Sequence, residues 1–209
     1  MPIQDNIRHA METGGNLSVR FSPELNTKAP GMTQVYLHQV DANNVLIDLQ
    51  AKGGEPANIL WLFWRQGECP MIQPFSIERA PVGTLFFTYE LTGCKVFAIQ
   101  GGPVWHIDSQ VTVAEFWPQI MGSEWVEDNW HVGDVQNVAY LHRAGQAANL
   151  WDLSGHIAGA APVTYGQGNV GNAVVGGIVR QGEHSKQLEL YYKASPWARF
   201  NYAAQKLKK

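Results

Sequence analysis

A chain of 209 residues is long enough for one sizeable domain and is read as a single unit over residues 1–209. Hydrophobic residues make up 45% and charged residues 16%, enough for a large core, while a formal net charge of −3 argues against nonspecific nucleic-acid binding, which draws on a basic surplus. The N-terminus from Met1 to Gly15 is polar and mixed in charge, with no Sec-type apolar core, and no apolar run approaches the ~18–20 residues of a membrane span; a soluble protein without membrane contact is expected.

Along the chain, Ile3, Ile7, Ala10 and Met11 recur at helical spacing before Gly14-Gly15, which predicts a short amphipathic helix with a glycine stop. Leu17, Val19 and Phe21 alternate with polar residues as in a strand with one buried face. Thr33–Val40 and Val45–Leu49 are strand-like and are joined by Asp41-Ala-Asn-Asn44, a hairpin turn. The nearly continuous apolar run from Asn58 to Trp64 predicts a central strand covered on both faces, and Gly83–Tyr89 reads the same way.

Cys94–Ile99 and Val104–Asp108 flank Gln100-Gly-Gly-Pro103 and predict another hairpin. Val113–Trp130 predicts two short helices separated by Gly122-Ser123, with Ser123 as the second N-cap. Val135–His142, Ala173–Val179 and Gln187–Lys193 are further strands. Lys206, Lys208 and Lys209 read as a frayed, solvated tail. Eight tryptophans and 21 glycines agree with strands and turns, and most of the tryptophans lie in apolar runs, which favours core packing over a sugar-binding groove. The fold class is α/β of the α+β type, strand-rich with several short helices.

Leu91-Thr-Gly-Cys94, with His106 twelve residues on, is the most informative stretch. If the hairpin turns about Gly101, residues whose numbers sum to about 202 face each other, and Cys94, Val96, Ala98, Val104, His106 and Asp108 share one face. His106 then lies opposite Val96 and diagonal to Cys94, where Cβ atoms are ~7–8 Å apart or somewhat less, and an imidazole covers that gap. A thiol nucleophile with a neighbouring imidazole base is one reading. A small buried hydrophobe and a structural histidine is the other, and spacing alone leaves both open.

His142 is the one competing base; His9, His38, His131, His156 and His184 read as surface or turn residues. Two cysteines 25 positions apart do not make a disulfide framework. A Cys69–Cys94 bridge is compatible with the sequence but would consume the thiol, and Cys69, in a turn-like setting, reads as incidental. The Gly168–Gly177 run lacks a phosphate-loop ending and predicts a turn followed by a buried strand. There is no His-Glu-x-x-His, no Cys-x-x-Cys and no Gly-x-Ser-x-Gly, so no zinc site or serine elbow is expected.

Leu85-Phe-Phe-Thr88-Tyr89, Leu91-Thr-Gly-Cys94-Lys-Val-Phe-Ala98 and Gly101-Gly-Pro-Val-Trp-His106-Ile-Asp108 resemble Burkholderia lethal factor. Glu55-Pro-Ala57, Ile59-Leu-Trp61, Val138–Gln146, Gly159–Pro162, Thr164-Tyr-Gly166 and Ala173–Val179 extend the likeness over nearly the whole chain, more weakly from about Arg180. The Leu-Ser/Thr-Gly-Cys motif with a downstream His is shared with the catalytic domains of cytotoxic necrotizing factors; Thr92 stands where the family usually has Ser.

The resemblance implies a sandwich of two mixed β-sheets surrounded by short helices. It also implies a toxin that is a protein-glutamine deamidase, a hydrolase needing no metal or organic cofactor. Its nucleophile falls on Cys94, its general base on His106 and its imidazole-orienting element on Thr88, which in related toxins acts through a backbone carbonyl. The implied partner is a host protein, the DEAD-box RNA helicase of translation initiation, whose deamidation stops protein synthesis. The implied enzyme is a monomer made in the bacterial cytoplasm without a visible Sec signal and active in the host cytosol. A transglutaminase or a cysteine protease could use the same Cys–His pair, while a non-catalytic binding module would be indifferent to Cys94→Ser. Tyr165 and Trp105 are candidate walls of the cleft, with core packing favoured for Trp105.

Overall fold

The structure, a computed structural model, describes residues 1–146, 152–159, 163–166, 172–193 and 196–208. In chain order the elements are α1 (Ile3–Thr13), β1 (Ser18–Phe21), β2 (Gly31–Asp41), β3 (Asn44–Asp48), β4 (Glu55–Leu62), β5 (Met71–Ile72), α2 (Pro74–Arg79), β6 (Leu85–Thr88), β7 (Lys95–Ile99) and β8 (Val104–Ile107). They continue with α3 (Val113–Met121), α4 (Glu124–Asn129), β9 (Val135–Arg143), β10 (Ile157–Gly159), β11 (Val163–Tyr165), β12 (Val174–Gln181), β13 (Lys186–Lys193), β14 (Trp197–Phe200) and β15 (Ala203–Leu207). No helix among the described residues is long and apolar enough to cross a membrane.

The strands form two mixed sheets. The first runs β1-β3-β2-β4-β6-β12-β13-β14 and the second β10-β15-β9-β7-β8-β5, with β11 beside β9. β1 with β3 and β4 with β6 pair in parallel in the first sheet, as does β11 with β9 in the second. Strand alternation sorts each sheet's side chains into two layers. Ile59, Trp61, Leu85, Phe87 and Ile178 turn outward from the first sheet onto Ile3, Ile7 and Met11 of α1. Leu60, Leu62, Phe86, Val175 and Val179 turn inward and meet Val96, Ala98, Val104, Ala139 and Leu141 of the second sheet. On that sheet's far side Phe97, Ile99, Trp105 and Tyr140 pack on Phe116, Trp117 and Ile120 of α3 and Val126 of α4. The result is helix, sheet, sheet, helices, with the central apolar layer between the sheets.

The expected strands stand where the alternation puts them. The first hairpin closes through Asp41 and Asn44, and Ile59 to Leu62 are wholly buried. Gly176 and Gly177 lie in β12; a Cβ on Gly176 would sit 2.3 Å from Met11 Cε and 3.0 Å from Phe87, so glycine here lets α1 close onto the sheet. Gly168–Gly171, Ala160–Pro162 and Lys209 lie outside the described residues.

Two expectations need correction. Lys206 and Lys208 are not frayed: β15 pairs with β9 and β10, placing Lys206 opposite Val135 and Ala158, and Lys208 N–H bonds His156 O at 2.8 Å. Only the side chains of Lys206 and Lys208 are solvated. Ser123 occupies the N-cap position of α4, but its hydroxyl donates backward to Ile120 O at 2.8 Å, so it closes α3 instead of capping α4.

Candidate active site

The β7–β8 hairpin has the register that the Gly101 turn implies: Lys95 pairs with Ile107, Val96 with His106, Phe97 with Trp105 and Ala98 with Val104. Gly101 has φ +73°, a conformation that suits glycine at the turn. Even-numbered residues of the hairpin face the layer between the sheets, and odd-numbered ones face α3. Cys94 and His106 therefore point into the same layer, 3% and 0% exposed.

The third residue arrives from the other sheet. On β6, Leu85 and Phe87 face α1, so Phe86 and Thr88 face inward. Thr88 is wholly buried, and its Oγ1 is in hydrogen-bond contact with His106 Nδ1. The contact is made by the Thr88 side chain. His106 Nε2 is buried and has no hydrogen-bond partner, so thiol and imidazole share a face without being bonded to each other.

Cys94 is pinned by its main chain. Leu91 and Ala173 exchange backbone bonds of 2.8 and 3.0 Å just upstream, Arg143 donates to Thr92 O at 3.1 Å, and the Tyr165 hydroxyl donates to Cys94 O at 2.8 Å. Tyr165 is buried against the Cys94 main chain, and Trp105 is core under α3. Both cysteines are free, so no bridge consumes the thiol.

Asp108, just past β8, is 1% exposed and carries a carboxylate into this layer. Its Oδ2 accepts Gly67 N–H at 2.7 Å; its Oδ1 accepts Ser109 Oγ at 3.1 Å and Trp64 Nε1 at 3.3 Å, and lies 4.0 Å from Cys94 Sγ. Hairpin parity placed Asp108 on this face, but nothing in the sequence marked Trp64, Gly67 and Ser109 as its partners. Lys95, on the opposite face, is wholly buried, donates to Asp108 O at 3.0 Å and Val111 O at 2.6 Å, and lies over the Phe116 ring.

Burial governs the charge states. It pushes the Cys94 thiol up to about 11, with Asp108 adding to the rise and the Ser109 N–H, Lys95 and Trp64 opposing it. Burial pulls the His106 imidazole down to about 3. The resting pair is therefore a neutral thiol beside a neutral imidazole. Burial would also raise Asp108, but the hydrogen bonds from Gly67, Trp64 and Ser109 hold it below the usual carboxylate range, so it is ionised. Burial lowers Lys95 to about 8.

His142 does not compete for this site. It lies on the face of β9 that carries Val138 and Tyr140, opposite the face whose Ala139 and Leu141 join Cys94, and its ring stacks on Tyr140. Cys69 belongs to the helix-side cluster.

No curated protein matches the chain. A family model described as Burkholderia lethal factor 1 matches residues 1–209, including the stretch after Arg180 where the likeness had looked weaker.

Proposed function

The chain belongs to the Burkholderia lethal factor 1 family and is a toxin-like protein, and we propose that it is a protein-glutamine deamidase acting on a host protein. The observation that carries this reading is the buried Thr88–His106 contact, which fixes an imidazole with a free Nε2 on the face that holds Cys94. A histidine oriented at one ring nitrogen and open at the other is the arrangement a nucleophile–base pair requires.

In the proposed reaction the tautomer that donates Nδ1–H to Thr88 Oγ1 leaves Nε2 with the lone pair. Nε2 takes the Cys94 proton as the thiolate adds to the glutamine side-chain carbonyl carbon, and the oxyanion is met by the main-chain N–H of Cys94. The C–N bond then breaks, and the imidazolium gives its proton to the leaving nitrogen, which departs as ammonia. Nε2 next deprotonates a water that adds to the thioester. The C–S bond breaks, the thiol is restored, and glutamate stands in place of glutamine. Because burial keeps both partners neutral at rest, proton transfer is coupled to substrate arrival, and the imidazole starts as a base instead of as a preformed imidazolium.

The proposed substrate is the DEAD-box RNA helicase of translation initiation, met in the host cytosol by a monomeric enzyme. The test is mass spectrometry of that helicase after incubation with this protein and with its Cys94→Ser variant. A single Gln→Glu conversion that needs Cys94 is expected. An amine adduct at the same glutamine would make the protein a transglutaminase, cleavage would make it a protease, and an effect unchanged in Cys94→Ser would make it a binding module.

A further inference from the structure

The carboxylate of Asp108 has no part in the nucleophile–base reaction above, yet it is the ionised group that stands against the nucleophile. It is 1% exposed, and its Oδ1 lies 4.0 Å from Cys94 Sγ. We propose that Asp108 is the specificity-determining residue of this site, its charge admitting the neutral substrate carboxamide and repelling the carboxylate that hydrolysis makes. The proposal rests on the glutamine-deamidase reading.

A carboxylate has about four lone-pair positions. Gly67 N–H occupies one on Oδ2, and Trp64 Nε1 and Ser109 Oγ occupy Oδ1 from the side of the 64–70 loop and the turn after β8. The Cys94 thiol is directed at the same oxygen, and it loses its proton when it becomes a nucleophile. Trp64 and Ser109 still fill both acceptor positions of Oδ1, so Asp108 acts on the substrate through its charge. A carboxamide is neutral and meets no repulsion there, whereas the charge of a carboxylate would lie against a second, buried charge.

Of the other charged or titratable groups around the thiol, Lys95 opposes part of this field from the opposite face of β7, where its ammonium donates to Asp108 O and Val111 O, and His106 is neutral at rest. The hydrogen bonds to Asp108 keep it ionised despite burial, so the repulsion is present at neutral pH. The field would act at the level of binding, with the neutral amide admitted and the acid expelled.

Two alkylating reagents differ in the same way as substrate and product: iodoacetamide is a neutral carboxamide and iodoacetate a carboxylate. In a Cys69→Ser background, the rate of Cys94 alkylation by each is measured and divided, with N-acetylcysteinamide as the reference thiol. The ratio cancels the fraction of thiolate and the frequency of local opening, because both reagents share them. The iodoacetamide-to-iodoacetate ratio is expected to exceed that of the reference by ~10-fold or more, as for like charges within one buried site. Asp108→Asn keeps the acceptor for Gly67 and should bring the ratio to within about threefold of the reference, while Asp108→Glu should keep it high. A ratio equal to the reference thiol in the unsubstituted site, which needs no folded Asp108 variant to read, overturns the proposal, and so does a ratio that survives Asp108→Asn. The reagents need no protein substrate. Loss of the deamidase reading therefore leaves the charge preference standing, and deamidation with a flat ratio removes only the role of Asp108.

Discussion

Thr88 and His106 touch across the interface of two sheets: the hydroxyl on β6 meets Nδ1 of the ring on β8, and both residues are wholly buried. Neither sheet alone contains the pair. Thr88→Val keeps the volume and β-branching but removes the hydroxyl, leaving the buried Nδ1 without its partner. Activity should fall ~10–100-fold, mainly in kcat, and stability by ~1–3 kcal/mol. Thr88→Ser should keep most of both. Steady-state kinetics with urea unfolding checks this, and full activity in Thr88→Val would show that something else orients the ring.

The buried imidazole makes stability sensitive to acid. Its ordinary value is 6.5, and in the fold it is depressed to about 3. Between those values the unfolded chain binds a proton that the folded chain refuses. Stability is therefore complete above about 6.5 and declines as pH falls toward about 3, at ~1.4 kcal/mol per pH unit from this group. His142 is depressed by burial too and adds in the same direction. Urea midpoints followed from neutral pH downward should fall more gently in His106→Gln than in the unsubstituted protein; parallel curves would count against a ring that is neutral and buried.

Tyr165→Phe removes the hydroxyl that donates to Cys94 O at 2.8 Å. The ring still fills its place, so the cost in stability should be about 1 kcal/mol. The nucleophile's peptide would lose a fixed point, and a ~10-fold drop in kcat with little change in KM is expected. Unaltered turnover would mean that the Leu91–Ala173 pairing and the Arg143 bond to Thr92 O hold Cys94 without the hydroxyl.

On the far side of the first sheet, Gly176→Ala should destabilise without touching the chemistry. The new Cβ would press on Met11 Cε and the Phe87 ring, at a cost of ~1–3 kcal/mol. Met11→Ala in the same chain should recover part of that loss, because the nearest clash is with the end of one flexible side chain. A double-mutant cycle by thermal unfolding reads the coupling, and additive effects would place the strain at Phe87 instead.

The parts of the site that depend on local parity were legible in the sequence. A period of two along Cys94–Ile99 and Val104–Asp108, folded about one glycine, is enough to place His106 opposite Val96 and to put Cys94 and Asp108 on its face. Thr88 could not be reached this way, because its partner comes from sheet-on-sheet packing, which no local pattern encodes; the family resemblance supplied it. The side-chain contact to the ring, the Tyr165 anchor and the donors to Asp108 all join residues distant in sequence, and for the same reason only the fold reveals them. Two of the missed strands, β15 and β5, have a different cause. Ala203-Ala-Gln-Lys-Leu207 carries little β-propensity, and β5 is two residues long; both are strands because a neighbour's unpaired edge recruits them. The six residues of α2 show too little periodicity to announce a helix.

The order in which the chain visits the sheets has a kinetic consequence. Strands β1 to β4 belong to the first sheet, β5 to the second, β6 to the first, β7 to β11 to the second, β12 to β14 to the first and β15 to the second. One of these passages, between β6 and β7, is the segment that delivers Cys94. Neither sheet can be completed before the other has begun, and the pairings that close them are distant in sequence, which slows folding. A half-assembled chain would hold thiol and imidazole on their hairpin with no Thr88 opposite them. Catalytic competence should therefore emerge late in refolding, after most of the strand signal has returned, and with it a lag between the recovery of structure and the recovery of turnover.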